Sequence, residues 1–294
     1  MVRFSAICLA AVLVSGAGAA AAEPTSILRG TIADMTYVEF ETAAKGGAVA
    51  LWALGSIEEH GPHLPLATDV YVPTEQLRRV QANLATNGVN SLIVPPYYWG
   101  VNRVTGAFPG SIDIRPEVMV ELMGDVFRSL ARAGVKDVYC ITGHYDAAHG
   151  RAIAEAMRRT NAEGAIRVHF VVPAVLGRRL GLASGDPGAL LVDPAPVAGP
   201  SQPDLHAGEG ETSVMLCAAP ATVRDRVIPS LKATDLSAEQ VAAWREGGEA
   251  ARRITPDGYL GAPAASNAAK GEARLAAESD AYAAAILNSA RARR

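Results

Sequence analysis

Residues 51–69 read Leu-Trp-Ala-Leu-Gly-Ser-Ile-Glu-Glu-His-Gly-Pro-His-Leu-Pro-Leu-Ala-Thr-Asp, and they join an apolar run, an acidic and imidazole-rich turn and a helix start. The apolar run, 48–54, has the length of a buried strand. Glu58 and His60 are two residues apart, so their side chains point the same way on an extended backbone. Asp69 precedes a helical pattern, where free N–H groups favour a carboxylate. These side chains suit a divalent metal ion, although an exposed acidic loop with a capping Asp69 would show the same pattern.

The rest of the chain alternates between apolar strand patterns and amphipathic helix patterns. We expect strands over 48–54, 91–94, 135–142 and 166–172, and helices over 36–45, 70–86, 116–133, 147–162 and 265–292. This alternation predicts a single-domain α/β fold with a mainly parallel β-sheet flanked by helices. The Gly- and Pro-rich stretch 177–205 has little periodicity, so we expect an irregular loop there.

The composition limits the classes of function that the chain can have. With 294 residues, 49% of them hydrophobic, the chain can bury a large core. The net charge of −3 gives no basic surface for nucleic acid or for an anionic membrane.

The first 22 residues have the pattern of a secretory signal peptide. Arg3 is their only charge, an apolar stretch follows, and three alanines ending at Ala22 resemble a cleavage site. The stretch is too short for a membrane span, so we expect an exported, periplasmic or secreted protein of residues 23–294 that has no membrane contact after cleavage. Cys140 and Cys217 could pair in such a protein, but their apolar surroundings favour two separate buried thiols.

A second group of histidine and carboxylate side chains follows the 135–142 strand. His144 and Asp146 lie at its carboxyl end, where sites gather in parallel sheets. We therefore expect one site that combines this group with the group around His60. His144 could instead be a hydrogen-bonded strand-end residue, and Asp146 could cap the next helix. If Asp146 is a cap, Glu211 is the natural substitute ligand.

Four motifs together resemble the creatininase (creatinine amidohydrolase) family. They are Gly55-Ser-Ile-Glu-Glu-His-Gly-Pro-His-Leu-Pro65 with Asp69, Phe108-Pro-Gly-Ser111, Gly143-His-Tyr-Asp146 and His206-Ala-Gly-Glu-Gly-Glu-Thr-Ser213. They occur in the family's order and span roughly residues 27–280. One such motif would be a weak signal, whereas four in order are a strong one.

The resemblance implies an amidohydrolase with a dinuclear centre of two divalent metal ions, Zn, Mn or Fe, that cleaves a non-peptide C–N bond with a metal-activated water. Its metal ligands would be, by position, Glu58, His60, Asp69, His144 and Asp146, with Asp69 bridging. His206 is our candidate for protonating the leaving nitrogen, and Glu211 is a candidate carboxylate beside the metal. The family commonly forms hexamers, so the resemblance also implies a homo-oligomer acting on a small-molecule amide.

Two positions depart from the family pattern. Thr105 stands where many members have a histidine, and Leu205 stands where creatininase has an acid. We expect these positions to contact the substrate, and therefore predict an amide, possibly cyclic, other than creatinine. A metal-dependent esterase or lactonase and a non-catalytic secreted binding protein on the same fold are the alternatives.

Overall fold

The computed structural model describes residues 28–200 and 203–292, which form one α/β unit around a parallel sheet. The strands are β1 (Val49–Leu54), β2 (Ser91–Tyr97), β3 (Asp137–Thr142), β4 (Arg167–Pro173) and β5 (Ala189–Val192). They lie in the order β2-β1-β3-β4-β5, and every neighbouring pair is parallel. The predicted fold class is confirmed.

Helices connect the strands and follow them. The α-helices are α1 (Tyr37–Lys45), α2 (Thr68–Thr86), α3 (Pro116–Arg132), α4 (Ala147–Glu163), α5 (Ala174–Arg179), α6 (Glu209–Ala218), α7 (Ala238–Trp244), α8 (Gly248–Ile254) and α9 (Ala268–Arg291). Short 3₁₀ turns occupy Ile32–Asp34, Pro220–Thr222, Ile228–Ser230 and Pro263–Ala265. Within the described residues, no helix is long and apolar enough to cross a membrane.

Apolar side chains cover both faces of the sheet. On one face, Trp52 of β1 packs in a core with Phe127 of α3 and Ile153 of α4. On the other face, Leu51 packs in a second core with Leu77 of α2 and Ile286 of α9. Two-sided coverage explains why all residues of β1 and β3 are buried and why both strands read as continuous apolar runs. Helix α9 lies against both α2 and α6, beside the carboxyl ends of the central strands.

Two expectations about the edges of the sheet were wrong. Strand β2 does not end before Pro95 but continues through Pro96 to Tyr97, because an edge strand tolerates residues that lack an N–H donor. The stretch 177–205 is not wholly irregular, since it contains the end of α5 and all of β5. The four residues of β5 are too few to give a periodic signal, and pairing with β4 fixes them as a strand.

Neither Cys140 nor Cys217, the two cysteines within the described residues, forms a disulfide. Cys140 is a buried thiol in β3. Cys217 is also free, but it is only partly buried, and its sulfur lies 3.1 Å from a carboxylate oxygen of Glu272. The expectation of separate thiols therefore agrees with the structure, whereas full burial of Cys217 was wrong. The predicted signal peptide, residues 1–22, lies outside the described residues.

Candidate metal centre

Three places in the chain deliver titratable side chains to the carboxyl ends of β1 and β3. They are the turn after β1 with the start of α2, the turn after β3, and the start of α6. The converging side chains are Glu58, His60, Asp69, His144, His206 and Glu211. Glycines permit the close packing, because a Cβ at Gly143 would lie 2.6 Å from the carbonyl oxygen of Asp69 and a Cβ at Gly55 would clash with the same atom.

Asp69 lies in the middle of this cluster. Its Oδ1 is 3.2 Å from Nε2 of His60, and its Oδ2 is 2.8 Å from Nδ1 of His144. Burial raises the pKa of Asp69, but the two imidazoles outweigh burial and hold that pKa well below its usual range. The two oxygens of one ionised carboxylate therefore face two different imidazole nitrogens, as a bridging ligand would.

The first possible set of ligands is Glu58, Asp69 and His144, which we call the inner half. Their ligand atoms lie within 4.8 Å of one another, and all three residues are buried. Nδ1 of His144 is 2.9 Å from Oε1 of Glu58, and Nε2 donates a hydrogen bond of 2.9 Å to the Val101 carbonyl. Because that carbonyl only accepts, Nε2 carries a proton, and Nδ1 is the nitrogen that faces the two carboxylates. Burial lowers the pKa of His144, but Glu58 and Asp69 outweigh burial and raise that pKa well above its usual value, so the position favours a positive charge, which a metal ion would supply in place of the proton.

The second possible set is His60, Asp69 and Glu211, which we call the outer half. Nε2 of His60 lies 3.8 Å from Oε2 of Glu211. The other nitrogen, Nδ1, is 3.2 Å from the Glu58 carbonyl and donates to it, which leaves a lone pair on Nε2. This Nε2 is buried and forms no hydrogen bond within the described residues. A buried acceptor surrounded by carboxylate oxygens lacks a positive partner, so the residues fit a bound cation.

The carboxylate of Glu211 is held by an unusual backbone conformation. Its Oε2 accepts a hydrogen bond of 2.5 Å from the backbone N–H of Ala207. Ala207 has φ of 46°, in the left-handed region that alanine rarely adopts. The side chain of Glu211 is 28% exposed, against 4% for Glu58 and 3% for Asp69, so the outer half is the side of the cluster open to solvent.

His206 lies above both halves. Its Nε2 donates a 2.7 Å hydrogen bond to the Glu59 carbonyl, its Nδ1 is 4.0 Å from Oε1 of Glu58, and its ring centre is 4.4 Å from that of His60. Burial lowers the pKa of His206, but Glu58 and Glu59 outweigh it and raise the pKa to about 10. His206 with Glu58 and His60 also forms a possible ligand set, so its position suits a proton donor or a ligand.

The structure does not bring Asp146 into the cluster. Its Oδ1 accepts a hydrogen bond of 2.7 Å from the Ala148 N–H and caps α4, and its Oδ2 accepts from the N–H groups of Arg103 and Val104 at 2.8 and 3.2 Å. Both oxygens are thus engaged by backbone donors. Asp146 takes the helix-capping alternative, and Glu211 lies where a further carboxylate ligand is needed.

The two positions expected to contact substrate have different surroundings in the folded chain. Thr105 is buried, and its hydroxyl donates to Oε2 of Glu58, so it orients a candidate ligand. Leu205 packs in an apolar cluster with Trp244 and Leu260. These roles depend on how the loop 99–114 folds over the strand ends, and the motif positions alone gave no sign of them.

The remaining histidines belong to none of the possible ligand sets. His63 is hydrogen-bonded through Nε2 to the Thr212 hydroxyl at 2.8 Å, and burial with the facing His60 lowers its pKa to about 4. The ring of His149 packs edge-on against His144, and burial lowers its pKa well below the usual value. His169 stacks on Tyr139 within the sheet.

Comparisons with known proteins agree with this geometry. The creatininase family model, described as creatinine amidohydrolase, matches residues 33–286. The chain is 31% identical over 229 residues to a mycofactocin precursor peptide peptidase of Mycobacterium ulcerans, which covers 76% of this chain and 78% of that protein. It is 27% identical over 121 residues to a creatinine amidohydrolase of Pseudomonas putida, covering 39% of this chain and 45% of that protein. The fold is similar to that of a manganese creatininase, with a TM-score of 0.65 at 23% identity, covering 88% of this chain and 98% of that one.

Proposed function

The chain belongs to the creatininase family of hydrolases, and from this premise we propose that it is a metal-dependent amidohydrolase with a dinuclear centre. The reaction is hydrolysis of a non-peptide amide C–N bond, with water as the nucleophile. The observation that carries the proposal is the arrangement at Asp69, whose two oxygens face His60 and His144 from opposite halves of one buried cluster.

The metal-holding residues follow from that arrangement. Glu58, Asp69 and His144 would hold one ion, and His60, Asp69 and Glu211 would hold the other. The chemistry that two Zn, Mn or Fe ions supply there is a lower pKa for water and polarisation of an amide carbonyl. The thiol-free set of carboxylates and imidazoles suits these metals.

His206 has the geometry to deliver the proton that the leaving nitrogen needs. The Glu59 carbonyl fixes the ring through Nε2, so Nδ1 faces Glu58 and the cluster. The nearby carboxylates favour the protonated imidazole, which places a transferable proton on Nδ1. Amides need this proton more than esters do, because an amine leaves poorly as an anion.

The remaining residues exclude water and orient the ligands. Thr105 binds the second oxygen of Glu58, and the Val101 carbonyl fixes the ring of His144. These contacts close the inner half, so substrate would approach from the side of Glu211, the exposed carboxylate of the set. Preorganised ligands of this kind need little rearrangement during reaction.

We propose a small amide other than creatinine as the substrate. Thr105 stands where many members have a histidine, and its hydroxyl binds Glu58; Leu205 stands where creatininase has an acid, and it packs in an apolar cluster. A peptide bond is the second candidate, because a relative that is 31% identical over 78% of its own length is named as a peptidase of a precursor peptide. Lactones and esters remain a third class, since the same water would attack them.

Export and assembly are also part of the proposal. The pattern of residues 1–22 supports cleavage before Glu23 and a periplasmic or secreted location. Family resemblance supports a homo-oligomer, with a hexamer as the expected form. Mass measurement of the protein isolated from its native host tests the first proposal, and analytical ultracentrifugation of residues 23–294 tests the second.

The test of function is metal analysis followed by a hydrolysis screen. Purified protein loaded with Zn, Mn or Fe is assayed against cyclic amides, linear amides, short peptides and lactones, with chelated protein as the control. We expect about two ions per chain and turnover of an amide class that chelation abolishes. Two bound ions with no turnover of any class would instead support the non-catalytic binding protein, and activity that survives full metal removal would contradict the mechanism.

A further inference from the structure

A cavity of about 210 Å³ adjoins the candidate metal centre without including any of its ligands. Its charged wall consists of Glu209, Lys270, Arg274 and Glu278. A second, narrower cavity of about 20 Å³, large enough for about one water, is lined by Asp69 and Glu211 together with the same Arg274 and Glu278. Arg274 and Glu278 of α9 therefore form a wall shared by the metal-side cavity and the larger one.

The charges on this wall are not equally occupied. Oε1 of Glu278 accepts from Nε of Arg274 at 2.9 Å, and Oε2 accepts from the side-chain amide of Gln76 at 2.6 Å. Glu209 is paired with Nζ of Lys270 at 2.6 Å. The two acids thus already have donors, which leaves the wall poorly suited to bind a cationic substrate group.

Arg274 is the wall residue with donors to spare. Only its Nε is used, and neither terminal nitrogen forms a hydrogen bond to any residue of 28–200 or 203–292. The pair Gln76–Glu278 orients the guanidinium from behind, since it links α2 to α9 through both oxygens of one carboxylate. A Cβ at Gly210 would clash with Nη1 of Arg274, so the guanidinium passes directly over the residue before Glu211.

We propose that Arg274 binds a carboxylate of the substrate and that the substrate is therefore an amide carrying an acidic group a short distance from the scissile bond. This inference rests on the proposed hydrolysis, because it assigns Arg274 to the same site. A guanidinium whose Nε is held and whose terminal nitrogens are free matches the two oxygens of a carboxylate, whereas a neutral carbonyl would use only one donor. The larger cavity beyond Arg274 would take the rest of the molecule.

The test compares compounds that share one scissile bond. N-acetylglycine, N-acetyl-β-alanine and longer N-acetyl ω-amino acids carry a carboxylate at increasing distance, and N-butylacetamide carries none. Hydrolysis by metal-loaded protein gives kcat/KM, and calorimetry with metal-free protein gives binding that does not depend on turnover. We expect the compound of one chain length to exceed N-butylacetamide by about 10–100-fold, both in kcat/KM and in the association constant.

Variants assign that preference to the guanidinium. Arg274→Gln should remove the preference, so that the ratio of kcat/KM for the acidic amide to kcat/KM for N-butylacetamide falls to about one. Arg274→Lys should keep the fold and the pair with Glu278 but lose most of the preference. Arg79→Gln is the matched control, because Arg79 also belongs to the α2–α9 contact, through Glu272, but lines neither cavity. It should leave the preference unchanged.

The outcomes separate this inference from the proposed function. Equal hydrolysis of acidic and neutral amides by the unmodified protein would overturn the role of Arg274 and leave the hydrolase intact. Binding of carboxylates that depends on Arg274, without hydrolysis of any compound, would support the role and contradict the hydrolase. A preference that persists in both Arg274 variants would also overturn the inference.

Discussion

The inner and outer halves of the candidate metal centre share Asp69 but are built differently. In the inner half, the two ligand candidates besides Asp69 are each held by a further hydrogen bond: Thr105 donates to Glu58, and His144 donates to the Val101 carbonyl. In the outer half, His60 is held by the Glu58 carbonyl and Glu211 by the Ala207 N–H, but Nε2 of His60 has no hydrogen bond within the described chain and Glu211 is partly exposed. The difference teaches that the inner candidate site is closed by the turns after the strands, whereas the outer candidate site is completed by α6 at the surface.

Asp69→Ala is expected to break both halves at once and to have the largest effect. It removes the carboxylate whose two oxygens lie 3.2 Å from Nε2 of His60 and 2.8 Å from Nδ1 of His144. Metal content measured by mass spectrometry should fall close to zero and hydrolysis to background. Asp125→Ala, at an exposed ion pair on α3, is the control. Full activity of the Asp69 variant on any substrate would refute the mechanism.

His206→Ala tests whether proton delivery is separate from metal binding. The variant should retain both ions and lose about 10²–10⁴-fold in kcat, because it removes the donor to the leaving nitrogen. Amides whose leaving amine is a weak base need less help, so the loss should shrink for anilide-type substrates. Loss of an ion from this variant would show that His206 is a ligand in the set with Glu58 and His60.

Glu58→Gln and Glu211→Gln form a matched pair that sharpens the comparison between the halves. Each substitution keeps the shape and removes one charge, but Glu58 is buried whereas the side chain of Glu211 is 28% exposed, so water competes more readily for an ion in the outer half. We expect Glu211→Gln to lose one ion of two on mild dialysis, whereas unmodified protein keeps both. Glu58→Gln should lower the metal affinity of the inner half, which we expect to bind its ion more tightly. Identical metal titration curves for the two variants would contradict the distinction.

Asp146→Asn should have the smallest effect. The side-chain oxygen of the asparagine can still accept the hydrogen bond from the Ala148 N–H. The NH2 group that replaces the second oxygen cannot accept from the N–H groups of Arg103 and Val104. We expect full metal content and a loss of about 1 kcal/mol in the free energy of unfolding, measured by urea denaturation. If this variant instead loses an ion, Asp146 is the ligand that the sequence resemblance implies.

Local patterns were sufficient to predict most of the fold. The capping box at Thr36 starts α1, Pro116 starts α3, and the apolar spacing after it marks the buried face of that helix. The continuous apolar runs correctly predicted β1 and β3, because helices cover both of their faces. Strand β5 could not be predicted in this way, since its four residues become a strand only by pairing with β4.

The site was predictable only where a motif fixes both the residue and its surroundings. Glu58, His60, Asp69 and His144 follow strands or start helices, so the fold brings them together. Asp146 could either bind a metal ion or cap α4, and the sequence left both roles open. Arg274 looks like half of an exposed pair with Glu278, and only the folded chain shows that Gln76, 202 residues from Glu278, holds the pair in place.

Helix α9 follows every other described element in the chain, and this order determines when the sheet can be covered during synthesis. Tyr282 and Ile286 belong to the core on one face of the sheet, and they leave the ribosome after all six side chains of the metal cluster. Until they arrive, that face of β1 and β3 is covered by α2 but not by α9, and part of its apolar surface stays exposed. The nascent chain therefore needs protection from aggregation until α9 docks, and removal of α9 would leave that core incomplete.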